Sequence, residues 1–306
     1  MSLVRHITEK DSLMLILFIQ QIINGLMLGS MYALIAIGYT LVLGILHMLN
    51  MAHPQVYMAS AFFGLAMVNF LSMPIWLAIL LAVIVAGLLS NLVEITCFRA
   101  IDKKYLEAPL LTTFFMGLVL EFVVTAIYGS DPKAFPSQLP IGDIQIGGLY
   151  IPSVQMLALS LSILLMLAVD FLLYHTKLGR AVRAVAIDPT IASLLGINVN
   201  MVVTAVFFVS GFLGGAAAIL AALRMGSLSI GMAWGWGLKS IAVMVMGGMG
   251  NVRGAMAAGL IVGLMEVLSI AYWSASYSDL VIWGALILIL TVKKGGLFKS
   301  ELRDLL

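Results

Sequence analysis

Long apolar runs recur along the whole chain, and short polar stretches separate them. The runs do not alternate apolar with polar residues, so they are not the strands of a transmembrane barrel. They read as α-helices that cross a bilayer, where every backbone amide must be satisfied within its own segment. The first run, Leu13 to Leu49, is too long for one span and reads as two that meet near Gly29 and Ser30. Further segments follow at Gln55–Leu71, Trp76–Phe98, Leu110–Tyr128, Ser153–Leu173, Met201–Leu223, Ala233–Met246, Ala255–Tyr272 and Leu280–Val292. Two or three of them are short enough to be re-entrant, so the pattern gives about eight to ten membrane segments. Gly25 and Gly29 form a GxxxG pair, which lets two helices approach closely, and Met201–Leu223 is rich enough in glycine and alanine to be an interior helix. The expected architecture is an all-α polytopic transmembrane bundle, with residues 1–306 as one domain.

The polar stretches orient the bundle. Arg99, Lys103 and Lys104, the stretch from Tyr174 to Asn200, and a tail with Lys293, Lys294, Lys299 and Arg303 hold most of the basic residues, so they are expected in the cytoplasm. The segment from residue 129 to 152 holds Pro132, Pro136, Pro140 and Pro152, with Asp131 and Asp143 against Lys133, and is expected outside. Counting spans back from there places the N-terminus in the cytoplasm with the C-terminus. Residues 174–200 are the longest break. Lys177, Arg180 and Arg183 recur every third residue and share one side of a helix. A second, very short helix follows. Asp188 is its N-cap, Pro189 occupies the first helical position, and Gly196 stands where a helix stops by turning left-handed. Ile191, Leu194 and Leu195 line one face, and Ala192 keeps the neighbouring surface low. Two readings stay open: a docking surface for a partner, and a loop folded back on its own membrane domain.

Composition narrows the class further. Of 306 residues, 62% are hydrophobic and 10% charged, against roughly a quarter charged in a soluble domain. The net charge of +2 is too small to imply nucleic acid. Cys97 is the only cysteine, so it forms no internal disulfide, and no metal-ligand cluster surrounds it. Glu9, Lys10 and Asp11 precede the first apolar run, unlike a signal peptide. Gly247–Gly254 has GxGxxG-like text but no strand before it, and neither HExxH nor GxSxG is present. Ionisable residues inside a bilayer are costly and usually have a role. Glu94 and Asp170 are expected to meet basic residues at cytoplasmic helix ends, and Glu121 to be a buried structural carboxylate. Lys239 and Glu266 lie in adjacent segments and are expected to pair, which reads first as a structural ion pair and second as a substrate site. Asn50, His53, Gln55 and Tyr57 surround Pro54 in the densest polar group among the apolar runs. A helix broken at membrane depth lines a cavity or is buried in protein, so these residues, with Lys239 and Glu266, are the candidates for a solute pathway. The other reading is that Pro54 starts a helix at the membrane surface.

Over nearly its whole length the chain resembles the permease subunits of ATP-binding-cassette importers for branched-chain amino acids. Gln20–Leu34 is similar to the family's opening, and Leu49-Asn50-Met51-Ala52-His53 to its asparagine-x-alanine-histidine signature. Gly179, Arg180, Arg183, Ala184, Asp188, Ala192, Gly196 and Ile197 match its cytoplasmic motif, and the glycine-rich break and Glu266 match as well. Pro54, Gln55 and Arg253 depart from it, as does Lys294-Gly295-Gly296. The resemblance implies a bacterial inner-membrane transport subunit without enzymatic activity or a cofactor of its own. ATP and magnesium would be bound by two ATPase subunits. It also implies a second, similar permease and an extracytoplasmic solute-binding protein. The cytoplasmic loop would dock on the ATPase through Gly179, Arg180, Arg183, Asp188, Pro189, Ala192, Leu195 and Gly196. Related permeases take amides, urea and other small polar solutes. The alternative is a secondary transporter or channel with no ATPase partner.

Overall fold

The computed structural model describes residues 2–101, 107–136, 142–146 and 149–298. Its helices are α1 (Ser2–Leu46), α2 (His53–Leu71), α3 (Ile75–Val93, prolonged by a π-turn over Glu94–Arg99), α4 (Ala108–Tyr128) and α5 (Ser153–His175). Then come α6 (Lys177–Ile187), α7 (Pro189–Leu194), α8 (Val199–Met225), α9 (Met232–Gly247), α10 (Val252–Tyr272) and α11 (Ala275–Val292). Among the described residues, eight of these helices are long and apolar enough to cross a membrane, which leaves α6, α7 and the 16-residue α9.

The first apolar run is not two spans. All but its last three residues lie in one continuous helix, and Gly25 and Gly29 serve packing rather than a turn. A Cβ on Gly25 would lie 2.9 Å from the Leu264 Cα, and one on Gly29 would lie 2.6 Å from the Gly259 carbonyl oxygen. With no side chains between them the α1 and α10 backbones meet directly, which the GxxxG spacing anticipates. The contacts run antiparallel: Gly25 faces Leu264, and Gly259 faces Ala33. α1 and α8 are the innermost helices, while α4, α5 and α11 turn most of their length outward.

The two ends of the bundle differ. At one end, here the loop end, α5 leads through α6 and α7 into α8. Arg253 at the start of α10 pairs with Asp170 near the end of α5 (2.6 Å), and the tail returns to α9 through the Leu297 N–H on the Met246 carbonyl (2.7 Å). Among the described residues, the other end carries four short strands, which the sequence pattern did not anticipate. β1 (Lys133–Ala134) pairs antiparallel with β4 (Ser227–Leu228), and β2 (Ile144–Ile146) with β3 (Leu149–Ile151). Asp143 holds the second hairpin: its carboxylate accepts from the Tyr150 hydroxyl (2.5 Å) and the Ser153 N–H (2.8 Å).

The Tyr150 N–H donates to Gln20 on α1 (3.3 Å). α1 therefore enters at the strand end and descends to the loop end. The expectation that both termini share a side does not hold, because joining two expected spans into one helix removes one crossing. Lys103, Lys104, Lys299 and Arg303 lie outside the described residues.

Candidate functional site

The α5–α6–α7 turn is built from local backbone chemistry. Thr176 caps α6: its hydroxyl accepts from the Gly179 N–H (3.1 Å) and donates to the Leu172 carbonyl (2.5 Å). The Gly179 Cα lies so close to the Leu172 and Leu173 carbonyls that no side chain fits there. α6 buries Gly179, Val182, Val185 and Ala186 and exposes Lys177 and Arg180. Arg183 turns inward instead, donating to the Leu173 carbonyl with its guanidinium 5.6 Å from the centre of the Tyr174 ring. Arg253 packs over the same ring at 4.1 Å.

Both ends of α7 form as their residues predict. One Asp188 carboxylate oxygen accepts from the N–H groups of Thr190 (2.7 Å) and Ile191 (3.0 Å), ahead of Pro189 at the first position. Gly196 has φ +83°. Its N–H reaches the Ser193 carbonyl and that of Ile197 reaches Ala192, both at 3.0 Å, the two bonds of a left-handed helix stop. The outward face is Ile191, Leu194 and Leu195, exposed by 56%, 83% and 75%. Ala192 is 1% exposed and packs into the chain's own core, so placing it on the outward surface is corrected. One residue on a helix turns the side chain by about 100°, which sends position 192 inward while its neighbour points out. Gly179 and Arg183 likewise serve the fold beneath the surface.

The polar break lies deeper. His47 ends α1 with φ 55°, and the chain crosses to α2 through Asn50, whose side-chain oxygen accepts from the Ala52 N–H (3.1 Å). The Met51 N–H donates to the Thr113 hydroxyl on α4 (3.2 Å). Asn50, His53, Gln55 and Tyr57 are all buried. The His53 ring stands edge-on to Tyr39 (4.7 Å) and Tyr57 (6.0 Å) in a slot that Gly38 and Gly214 keep open. A Cβ on Gly38 would lie 2.7 Å from His53 Nε2. Neither ring nitrogen completes a hydrogen bond of normal geometry, although the Ile35 carbonyl lies nearby. Asn50 Nδ2, Gln55 Oε1 and Tyr39 Oη complete none either. Buried polar atoms without partners are destabilising and call for water or a ligand.

α9 joins this break to the buried charges. The Tyr57 hydroxyl donates to the Ala233 carbonyl (2.9 Å), and a Cβ on Gly237 would lie 2.6 Å from Pro54. Lys239 pairs with Glu266 (2.6 Å), as its position predicts, and also with Asp279 on α11 (2.9 Å). Tyr32 lies beside Glu266, Arg224 is within electrostatic range of both, and Trp236 meets Tyr32 edge-on at 5.4 Å. Trp234 Nε1 donates to Glu121 (2.9 Å), giving that carboxylate its structural partner. Glu94 forms a two-pronged pair with Arg99 (3.0 and 2.9 Å), in line with its expected role. Asp279 and Trp234 escaped the sequence reading. Asp279 opens its apolar segment from the polar side, so it reads as loop, and a tryptophan among glycines carries no partner signal.

Residues 21–290 match the family described as the permease component of branched-chain amino acid transport systems. The chain belongs to this family. It is 33% identical to the high-affinity branched-chain amino acid transport system permease protein BraD of Pseudomonas aeruginosa, over 92% of this chain and 95% of that one. It is 34% identical to LivH of Escherichia coli, over the same shares. It is also 25% identical to the ribose import permease protein RbsC of Haemophilus influenzae, over 81% of this chain and 76% of that one. The permease is thus a multi-pass inner-membrane transport component rather than an enzyme.

Proposed function

We propose that the chain is the membrane-spanning subunit of an ATP-driven importer for branched-chain or related small amino acids and amides. Two ATP-binding-cassette subunits would drive it and hold the ATP and magnesium. An extracytoplasmic binding protein would deliver the solute at the strand end, and a second, homologous permease would complete the pathway. The observation that carries this reading is α7: a two-turn helix, capped at both ends, whose leucines stand in solvent while Ala192 anchors it from below. An apolar face held this rigidly is preorganised for a partner. Arg180 and Lys177 on α6 stand at its rim.

The relatives' names supply the solute class, two of them naming branched-chain amino acids. Support for a second permease comes from α9, where Gly231, Gly235 and Leu238 face outward and a Cβ on either glycine would meet nothing within 4 Å. That is a surface on which another helix packs closely. Asn50, His53, Gln55 and Tyr57 act in this reading as the buried hinge between α1 and α2, with unpartnered atoms that hydrate as the pathway opens. The test is co-purification of ATPase subunits with the chain, followed by leucine uptake in proteoliposomes. Solute uptake without ATPase association would make it a secondary transporter or channel.

A further inference from the structure

The charged cluster on α9, α10 and α11 has the composition of a receptor for a zwitterion. One ammonium, Lys239 Nζ, is shared between two carboxylates from different helices, Glu266 at 2.6 Å and Asp279 at 2.9 Å. A second cation, Arg224, ends α8 within electrostatic range of Glu266 and Tyr32, without an ion pair to either among the described residues. The cluster therefore balances two positive against two negative groups. Two features go beyond a structural ion pair. Glu266 is 6% exposed, and among the described residues its Oε2 completes no hydrogen bond of normal geometry, although the Tyr32 hydroxyl lies nearby, so a buried anionic acceptor is left under-satisfied. A buried carboxylate oxygen without a donor is costly and is satisfied when a donor arrives. Asp279, in contrast, is 65% exposed in the first turns of α11, so the cluster reaches the surface of the bundle near the strand end. Aromatic rings stand next to it: Trp236, one turn before Lys239 on α9, is edge-on to Tyr32.

We propose that Lys239, Glu266, Asp279 and Arg224 form a subsite for the charged head group of an α-amino acid, entered from the strand end. The solute ammonium takes the open Glu266 oxygen and replaces Lys239 on Asp279. Lys239, released from one carboxylate, turns with Arg224 to the solute carboxylate. Each charge keeps a counter-charge throughout, so the head group passes from water into the bundle without an unpaired ion. The aliphatic side chain lies over Tyr32 and Trp236. This proposal rests on the amino-acid importer reading and adds to it where the head group binds.

The test is a titration of the full chain in detergent, read by tryptophan fluorescence, since Trp236 lies one helical turn from Lys239. L-Leucine should give a saturable change. Isoamylamine, which lacks the carboxylate, and 4-methylpentanoate, which lacks the ammonium, should give none in the same range. Asp279→Asn, at an exposed position that leaves folding intact, should weaken leucine about tenfold, the loss expected of one charged hydrogen bond, and Asp279→Glu should restore it. Equal responses to all three compounds, no response to leucine, or leucine affinity unchanged in both Asp279→Asn and Lys239→Gln would overturn the subsite. Leucine uptake by the assembled importer is a separate measurement. Uptake with no response in the titration removes the subsite alone, and a response without ATPase association or uptake removes the importer reading alone.

Discussion

Replacing Leu194 and Leu195 together by serine tests whether α7 is a docking element. Both side chains stand mostly in solvent, at 83% and 75% exposure. The fold should therefore register little, within about 0.5 kcal/mol for surface substitutions away from packed features. Burying a leucine against a partner contributes about 1.5 kcal/mol at the low end. Losing two would weaken ATPase association by about 3 kcal/mol, or roughly a hundredfold. The assay is ATPase pull-down from detergent extract, with monodispersity of the permease as the control and coupled uptake as the functional readout. Ala192→Trp is the informative contrast. It forces bulk into a site 1% exposed, where overpacking typically costs about 1–3 kcal/mol, so it should damage the permease itself before any partner is added. If the double serine variant binds ATPase and couples uptake as the parent does, α7 faces water and the docking argument fails.

Asp188→Ala removes a cap that accepts two N–H groups, and should cost α7 about 1 kcal/mol, read as faster hydrogen exchange at Thr190 and Ile191 with the spans unchanged. Gly263→Leu should separate α1 from α10, because its Cα lies against the Gly29 backbone; retained monodispersity and thermal stability would contradict the packing. Single cysteines at Met14 and Lys294, in a Cys97→Ser background, should label from opposite sides of the membrane. Labelling from one side would restore the two-span reading of the first apolar run. The Asp143 carboxyl is held below its usual range by the Tyr150 hydroxyl and then by the Ser153 N–H. Its anchoring of the β2–β3 hairpin is thus present above the ordinary carboxylate pKa and is lost as pH falls through the lowered value. Protection of the Ser153 amide, measured as exchange relative to its intrinsic rate at each pH, should fall on acidification, and should no longer depend on pH in Asp143→Asn.

The elements that depend on local chemistry were legible in the sequence. Asp188, Pro189 and Gly196 bracket α7 because capping, ring geometry and left-handed backbone are properties of single residues. Lys239 and Glu266 met because a buried charge needs a counter-charge and few were within reach. What failed was direction and count. Gly29 and Ser30 look alike whether a chain turns there or packs there, and only α10 decides, through Gly259 and Gly263 more than 200 positions along the chain. Ala192 against Leu194 is a question of helix phase, and the phase of so short a helix is fixed by what it packs on. The partner of Glu121 lies on α9, beyond any local pattern.

The two regions singled out by chemistry, α7 at one end and the Lys239 cluster toward the other, are joined by a short mechanical route. α7 passes to α8 through the turn at Gly196–Asn198, and the Asn198 side chain caps α8 by accepting from the Met201 N–H (3.1 Å). α8 then runs unbroken for 27 residues, about 40 Å at 1.5 Å per residue. It ends at Arg224, Met225 and Gly226, and the next two residues are β4, clamped to β1. α9 starts four residues after β4 and carries Lys239. Beneath α6 lies a cavity of about 100 Å³, lined by Leu41, Ile45, Val182 and Ala186 among others, which leaves α6 room to shift against α1. A displacement imposed on α7 therefore has slack at its own end and a stiff rod beyond it. The rod's far end carries Arg224 into the electrostatic neighbourhood of Glu266, so tilting α8 changes the charge balance of the cluster. In the importer reading, that linkage lets ATP-driven movement alter the hold on a head group.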